Sequence, residues 1–281
     1  MPAQRASRTA LIVAACRALH QSLDGGDILA DPFAGALLGA PPERLISPRQ
    51  VQFRRYIAAR SRFAERALRE AVTRRGVEQV VVLGAGLDTF ALRNPFGGRL
   101  RVFEVDHPAT QADKRRRLRR AGLAVPPWLR FVSADLEADG LVAMLAAQGF
   151  DPGGRSFFIW LGVAPYLSRD AVLATLSAIA GLPGGAEVVF NYLPTRRHAP
   201  ESGGEKAVAA LGEPIRSWFL TPELGSRLRA MGYTRLEDFG LGELMRPVGP
   251  PTKSRLSQRM VLAATPGRDA GAPTGPGGRL S

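Results

Sequence analysis

Glycines, aspartates and a leucine follow three apolar segments of the sequence and are suited to bind a nucleoside. Gly84 and Gly86 end the first segment, and a turn without Cβ atoms lets the backbone approach a ligand closely. Asp106 ends the second segment twenty residues beyond Gly86, where a carboxylate can accept hydrogen bonds from both hydroxyls of a ribose. The third segment ends in Asp135 and Leu136, which suit the amino group and the flat face of an adenine. The sequence therefore predicts an adenosine-binding site.

The residues after Gly86 indicate which adenosine cofactor the site takes. A dinucleotide site needs a third glycine so that the next helix can approach the pyrophosphate, and this sequence has Thr89 there. Asp88 would repel a pyrophosphate, but it tolerates or favours a cationic sulfonium or ammonium group. The sequence also lacks the GxxxxGKS/T motif of a phosphate-binding loop. S-adenosylmethionine (SAM) therefore fits better than NAD or ATP, and Asp88 joins the predicted cofactor site.

Strands that alternate with helices place these residues at one edge of a sheet. The five strands predicted from compact apolar runs are 79–83, 100–105, 129–133, 156–161 and 186–192. Helices between them make βαβ units, which are typical of a parallel sheet. Two further strands, 233–239 and 257–265, are expected to form an antiparallel edge. Ligands of open α/β sheets bind outside the carboxyl ends of the strands, where the predicted site lies.

The spacing of apolar residues predicts a helical region before the first strand. Residues 8–75 include a first helix ended by Asp24-Gly25-Gly26 and a long amphipathic helix closed by Gly76. A late helix is expected to start with Thr221 as its N-cap and Pro222 at its first position. The helices predicted after the first strand lie at 109–121, 138–148, 168–181 and 221–232.

The composition is that of a folded protein in a reducing compartment. Of 281 residues, 45% are hydrophobic and 22% are charged, which excludes wholesale disorder. No apolar run approaches the roughly 20 residues of a membrane helix. The single Cys16 allows no internal disulfide and no cysteine-based zinc site, so we expect a cytoplasmic protein without a metal. The loop at 194–206 is a candidate lid, and residues 266–281 are expected to be a disordered tail.

A net charge of +13 raises the question of a nucleic-acid partner. Nearly all the basic residues are arginines, and they cluster in two helical segments, 54–75 and 114–120. A solvated helix face is the simpler explanation for both clusters. We therefore do not expect a nucleic acid as partner. We also expect no membrane partner, and we expect the protein to be a monomer or a homodimer.

A set of short motifs occurs in fixed order between residues 31 and 167. The motifs are Asp31-Pro32-Phe33-Ala34, Ala59-Arg60-Ser61-Arg62-Phe63, Val82-Leu83-Gly84-Ala85-Gly86-Leu87-Asp88-Thr89 with Arg93, Phe103-Glu104-Val105-Asp106-His107-Pro108, Ala134-Asp135-Leu136, and Trp160 with Gly162-Val163 and Tyr166-Leu167. Together they resemble the leucine carboxyl methyltransferase-like group, which includes polyketide O-methyltransferases. The resemblance implies a class I SAM-dependent methyltransferase, with a Rossmann-like α/β fold, a seven-stranded, mostly parallel sheet and an N-terminal helical extension. The domains it implies are a helical cap at 1–76, a methyltransferase domain at 77–265 and the tail at 266–281.

The resemblance also implies roles for individual residues. Arg60 would hold the methionine carboxylate of SAM, with Gly84 and Gly86 under the methionine part. The other cofactor-binding residues that we expect are Asp88, Asp106 on the ribose, Asp135 and Leu136 on the adenine, His107 and Leu161. The family usually has Trp-Glu-Gly-Val where this chain has Trp160-Leu161-Gly162-Val163, so a glutamate expected near the cofactor or the methyl acceptor is missing.

The predicted reaction is transfer of a methyl group from a sulfonium, an in-line displacement for which the protein aligns the acceptor and excludes water. We expect an O-methyltransferase whose acceptor is a carboxylate of a small molecule, such as a secondary metabolite, or of a peptide. A carboxylate with a pKa of about 4 is already ionised, whereas a phenol with a pKa of about 10 would need a base such as His107 or His198. The candidate acceptor-site residues are Tyr166, Tyr192, Arg197 and Arg246.

Two other functions stay open at this point. A nucleic-acid methyltransferase would suit the positive charge, although the sequence has no Asn-Pro-Pro-Tyr or Asp-Pro-Pro-Tyr motif for methylation of a flipped base. A SAM-binding protein without catalytic activity would suit the leucine at position 161, because the family's glutamate is absent there.

Overall fold

The computed structural model describes residues 7–138, 140–195, 203–249 and 258–267. Its strands are β1 (Gln79–Leu83), β2 (Arg101–Asp106), β3 (Leu129–Ser133), β4 (Ser156–Trp160), β5 (Ala186–Tyr192), β6 (Arg235–Phe239) and β7 (Arg259–Ala264). They form one sheet in the order β3-β2-β1-β4-β5-β7-β6. β1 to β5 pair in parallel, whereas β7 is antiparallel to both β5 and β6. The predicted seven-stranded, mostly parallel sheet is confirmed, and its order reverses between β1 and β4.

Helices surround this sheet on both faces. Those in the described ranges are α1 (Arg8–Leu23), α2 (Ala34–Leu38), α3 (Val51–Arg75), α4 (Phe90–Arg93), α5 (Pro108–Arg120), α6 (Leu141–Ala146), α7 (Arg169–Ala180), α8 (Gly203–Ala210), α9 (Thr221–Ala230) and α10 (Leu241–Met245). A short 3-10 turn at Ala164–Tyr166 follows β4. None of the helices in these ranges has the length and the apolar character needed to cross a membrane.

Local sequence signals set several helix ends. The side chain of Ser7 accepts a hydrogen bond from the Ala10 N–H at 3.1 Å and caps α1. α3 ends at Gly76, whose φ of +68° is the left-handed conformation that glycine adopts without strain. His107 caps α5, because its Nδ1 accepts a hydrogen bond from the Ala109 N–H at 3.2 Å. The helices predicted within 8–75 and at 109–121 therefore occur largely where the sequence places them.

The start of α9 differs from the prediction. Thr221 is the first residue of the helix rather than its N-cap, and Leu220 occupies the cap position. The Thr221 hydroxyl lies 2.8 Å from the Tyr192 hydroxyl and is bound there instead of to the helix N-terminus. The predicted loop at 194–206 is also shorter, because α8 begins at Gly203, and residues 196–202 lie outside the described part of the chain. The predicted tail lies outside it from residue 268 onward.

Apolar side chains form a cluster on each face of the sheet. Successive strand residues point to opposite faces, so Val80 and Val82 of β1 pack with α1 and α3, whereas Val81 and Leu83 pack with α6, α7 and α9. Trp160 is fully buried in the second cluster and is a core residue. The N-terminal helices thus share one apolar core with the sheet and cover the face on which the site lies.

Candidate functional site

A cavity of about 290 Å³ lies at the carboxyl ends of β1, β2 and β4, beneath α1 and α3. This is the edge where the strand order reverses and where α/β sheets bind their ligands. The predicted site residues in its wall are Arg60, Gly84, Gly86, Asp88, Asp106, Leu161 and Tyr166. Residues that are distant in the sequence are therefore brought together around one cavity.

The two glycines after β1 are required by their conformation and by their neighbours. Gly84 has a φ of +61° and Gly86 a φ of +50°, in the left-handed region. A Cβ added at Gly84 would collide with the side chain of Val163, and one at Gly86 would lie 2.9 Å from the Cβ of Ala10. The turn therefore packs closely against the segment after β4 and against α1.

Asp106 is bound to the glycine turn. Its Oδ2 accepts a hydrogen bond from the Gly86 N–H at 2.5 Å, and its Oδ1 accepts one from the His107 N–H at 2.7 Å. Burial raises the pKa of Asp106, although these two backbone donors oppose the increase. The carboxylate is thus held at the cavity wall, at the end of β2, where an acidic residue can bind ribose hydroxyls.

Asp88 reaches the cavity as half of an ion pair. Its Oδ2 lies 3.0 Å from Nη1 of Arg17, and its Oδ1 accepts a hydrogen bond from the Phe90 N–H at 2.7 Å. Burial disfavours ionisation of Asp88, but the positive charges of Arg17, Lys114 and Arg93 outweigh it and lower the pKa of Asp88. Asp88, which the sequence predicts beside a cationic group of the cofactor, is therefore already paired with a cation of the protein.

Arg60 is the opposite case, because it is a cation without a counter-ion among the described residues. Its side chain is buried, forms no ion pair with any carboxylate that the structure describes, and has an Nε without a hydrogen-bond partner. The guanidinium lies against Gly162, where an added Cβ would be 2.9 Å from its Nη2. Burial of an uncompensated charge is costly, so this arrangement favours an anionic ligand in the cavity.

Three of the predicted cofactor residues do not line the cavity. Asp135 and Leu136 follow β3, the edge strand, which is separated from the cavity centre between β1 and β4 by β2. Asp135 accepts a hydrogen bond from the Glu137 N–H at 2.9 Å, and Leu136 packs on the cluster around α6 and α7. The imidazole of His107 caps α5 instead of facing the cavity.

The acceptor-site predictions divide in the same way. Tyr166 lines the cavity, and burial raises the pKa of its phenol. Tyr192 does not line it, because it shares a strand face with Phe190 and its hydroxyl bonds Asp238 at 2.7 Å on the far side of the sheet. Arg246 is exposed and absent from the wall, and Arg197 lies outside the described residues.

Several wall residues were not predicted from the sequence. Arg17 pairs with Asp88 and with the buried Asp31, whose Oδ2 lies 3.1 Å from its Nε. An arginine inside the apolar run of α1 was the available signal. No sequence signal marks Tyr56 of α3 or Gln258 before β7, which also line the cavity.

Glu213 joins the start of α1 to the segment after α8. Its Oε1 accepts a hydrogen bond from the Arg8 N–H at 2.6 Å, and its Oε2 accepts one from the Ser7 hydroxyl at 3.1 Å and one from the Thr9 hydroxyl. All three of Ser7, Thr9 and Glu213 line the cavity. A carboxylate at a helix N-terminus is stabilised there, so this cluster holds α1 over the cavity. The described residues contain no cluster of His, Cys, Asp or Glu suited to a metal ion.

Comparison with solved structures shows the fold. The chain resembles a structure from Thermobifida fusca with a TM-score of 0.57 and 19% identity, covering 83% of this chain and 92% of that one. It also resembles a DUF574 family protein from Streptomyces avermitilis with a TM-score of 0.57 and 16% identity, covering 93% and 98%. The first of these structures is assigned as a methyltransferase. The likeness supports the class I methyltransferase fold.

Comparison with known sequences shows the family. YktD of Bacillus subtilis is 34% identical over 200 residues, which cover 68% of this chain and 65% of YktD. A protein of Mycobacterium marinum is 31% identical over 231 residues, which cover 75% of this chain and 72% of that protein. Both are assigned as S-adenosyl-L-methionine-dependent methyltransferases. The leucine carboxyl methyltransferase family matches residues 10–180, and the chain therefore belongs to this family of SAM-dependent methyltransferases.

Proposed function

We propose that this SAM-dependent methyltransferase transfers the methyl group to a carboxylate oxygen of a small molecule or a peptide and so forms an ester. The observation that carries the proposal is the lack of a free general base in the described cavity wall. No histidine of the described residues lines the cavity, and the Asp88, Asp106 and Glu213 carboxylates are all bound by protein donors. A carboxylate acceptor is already ionised near neutral pH and needs no base.

The cofactor half of the proposal rests on the residues at the strand ends. The bound cofactor would supply a methyl group on a positively charged sulfur. Arg60 would bind its carboxylate, the turn at Gly84 and Gly86 would lie along its methionine part, and Asp106 would accept hydrogen bonds from its ribose. Asp135 and Leu136 remain the proposed adenine contacts. For this the bound cofactor would have to extend from the cavity past the end of β2 to the end of β3. The two tyrosines in the wall, Tyr56 and Tyr166, would stay protonated, because burial raises the pKa of both phenols.

The distribution of the arginines supports a small acceptor over a nucleic acid. Arg54 is buried against Asp24, with Nε 2.7 Å from Oδ2, and Arg117 pairs with Asp113 at 2.7 Å. At least one arginine of each cluster is thus engaged in an ion pair within the fold.

Calorimetry with S-adenosylhomocysteine (SAH) tests the cofactor site. We expect the wild type to bind and Asp106→Ala to bind at least about tenfold more weakly, because hydrogen bonds to a charged group are lost. Asp151→Ala is the matched control, since Asp151 lies outside the cavity and bonds the Gly153 N–H at 2.9 Å. Absence of SAH binding by the wild type, or equal loss in both variants, would contradict the proposal.

A screen of acceptors with isotopically labelled cofactor tests the reaction. Carboxylates, phenols, peptides and RNA are offered in parallel, and the products are separated by mass. A carboxyl ester releases its label in mild alkali, whereas an aryl ether and a methylated base retain it. Alkali-labile product from carboxylates is expected. Alkali-stable product would instead favour a phenol or a nucleic acid, and tight SAH binding with no product from any class would favour a non-catalytic protein.

A further inference from the structure

Arg60 and four other residues form a closed ring of contacts. Gly162 lies against Arg60, and its N–H donates to Oδ1 of Asn191 at 2.5 Å. Nδ2 of Asn191 donates to Oε1 of Gln258 at 2.9 Å, and the Tyr56 hydroxyl donates to the same oxygen at 2.6 Å. The Tyr56 ring returns to Arg60, whose Cζ lies 5.8 Å from the ring centroid. We call these residues the Arg60 ring; they come from α3, the segment after β4, β5 and the residue before β7.

The direction of every hydrogen bond in the Arg60 ring is fixed by a backbone group. A backbone N–H can only donate, so Gly162 requires the Asn191 oxygen on its side and turns the Asn191 amide nitrogen toward Gln258. Gln258 must therefore present its oxygen to Asn191, and this oxygen also accepts the Tyr56 hydroxyl. Asn191 and Tyr56 are fully or almost fully buried, so both bonds lie away from solvent.

The same direction determines what the Arg60 ring offers to the cavity. The amide oxygens of Asn191 and Gln258 both accept hydrogen bonds from donors within the ring. Neither Asn191 nor Tyr56 bonds the amide nitrogen of Gln258. Gln258 and Arg60 both line the cavity, and Nε of Arg60 has no partner among the described residues. The Arg60 ring thus supplies hydrogen-bond donors and a positive charge, and it supplies no free carboxylate.

We propose that Gln258 is a second anion-binding residue beside Arg60, and that its amide nitrogen and the Arg60 guanidinium together bind the methionine carboxylate of the cofactor. Asn191 and Tyr56 act as positioning residues that keep the Gln258 amide in its donor orientation. The inference rests on the SAM site proposed above and assigns it a contact from the C-terminal strand. It gives a role to the neutral glutamine that lines the same cavity as this buried cation.

A pair of ligands that differ by the amino-acid group tests the role of Gln258. SAH carries the carboxylate, whereas 5′-methylthioadenosine keeps the nucleoside and the thioether and lacks the carboxylate. Gln258→Glu is the sharpest variant, because one oxygen still accepts from Asn191 and Tyr56 and only the donor is replaced. We expect its dissociation constant for SAH to rise at least about tenfold, while that for 5′-methylthioadenosine changes less than about twofold.

The pH dependence of Gln258→Glu separates recognition from structure. A protonated glutamic acid can again donate to the ligand carboxylate. In this variant, the dissociation constant for SAH divided by that for 5′-methylthioadenosine should therefore fall as the pH is lowered. In the wild type this ratio should respond less to pH, because a glutamine does not titrate. If Gln258 had a purely structural role, the variant would bind both ligands more weakly, by the same factor at every pH.

Asn191→Asp provides an independent variant that leaves Gln258 in place. The new carboxylate still accepts from Gly162 but cannot donate, so the Gln258 amide is expected to turn its oxygen toward the cavity. SAH binding should weaken at least about tenfold and 5′-methylthioadenosine binding should not. Equal loss for both ligands, or unchanged SAH binding in Gln258→Glu, would overturn the inference. Failure of the wild type to bind either ligand would instead overturn the proposed function as well.

Discussion

The backbone N–H of Gly86 donates a hydrogen bond to the carboxylate of Asp106 over 2.5 Å. This bond joins the glycine turn after β1 to the end of β2, and the His107 N–H occupies the other carboxylate oxygen. An ionised carboxylate has about four acceptor sites, so it can accept both bonds and further bonds from a ligand, whereas protonation turns one oxygen into a donor. Protonation of Asp106 should therefore weaken its bond to the turn as well as the proposed ribose contact.

SAH affinity should fall in acid because Asp106 becomes protonated. Burial raises the pKa of Asp106, so the fall should begin at a higher pH than for an ordinary aspartate, whose pKa is about 3.9. The same shift makes the free energy of unfolding depend on pH. Asp106 contributes to stability at pH values below its pKa in the unfolded chain, and this contribution is lost as the pH rises through its pKa in the folded protein. Calorimetry at several pH values checks the expectation, and the acid fall should be absent in Asp106→Asn.

Gly84→Ala should destabilise the protein more than the same change at another left-handed glycine. Gly97 has a φ of +55° and no atom within 4 Å of an added Cβ, so Gly97→Ala reports the backbone cost alone, about 1–2 kcal/mol. Gly84→Ala adds the collision with Val163, a further cost of about 1–3 kcal/mol. Urea unfolding measures both variants. Val163→Ala combined with Gly84→Ala should recover part of the difference, and equal stability of the two single variants would contradict the close packing.

Arg17→Met should lower the free energy of unfolding by about 3 kcal/mol. The substitution removes the nearer of the two positive charges that pair with the buried carboxylate of Asp31. Asp31 keeps the Thr89 hydroxyl at 2.7 Å, while Nε of Arg93 lies farther away, at 3.7 Å. Addition of Asp31→Asn should restore part of the loss, since the unpaired charge is removed with its partner.

The matched control for Arg17 is an exposed ion pair. Arg227 pairs with Glu223 at 3.0 Å on the surface of α9. Arg227→Met should cost at most about 1 kcal/mol. Urea unfolding of both variants under the same conditions gives the comparison, and similar losses would show that the Arg17 pairs contribute no more than a surface pair.

Tyr192→Phe should affect stability and leave the ligand unaffected. The Tyr192 hydroxyl bonds Thr221 and Asp238, so its loss should lower the unfolding free energy by about 1 kcal/mol. The dissociation constant for SAH should not change, because Tyr192 faces away from the cavity. Weaker SAH binding in this variant would contradict the assignment of Tyr192 to the core.

Local patterns were sufficient to predict the strands and the glycine turn. β1, β3 and β5 begin and end at the predicted residues, because compact apolar runs bounded by turn residues specify buried strands in a local stretch of chain. Gly84, Gly86 and Asp106 lie together at the cavity because parallel strands end at one edge, a consequence of topology that the βαβ pattern already implies.

Contacts between distant segments could not be predicted in this way. Whether Asn191 or Tyr192 faces the cavity depends on which face of β5 the N-terminal helices cover, and alternation along the strand does not decide it. Gln258 belongs to no motif, and its place in the Arg60 ring depends on the antiparallel direction of β7. Arg17 neutralises Asp88 only because α1 lies over the glycine turn.

The position of β7 also sets an order of events during synthesis. β6 pairs only with β7 among the described strands, and β7 lies between β6 and β5, so β6 can join the sheet only after β7 has left the ribosome. Such long-range pairing is slow compared with the formation of local helices. A nascent chain that ends before Gln258 carries the glycine turn and Asp106 but lacks one residue of the cavity wall, so the cofactor should bind and stabilise it less than it stabilises a chain that includes β7.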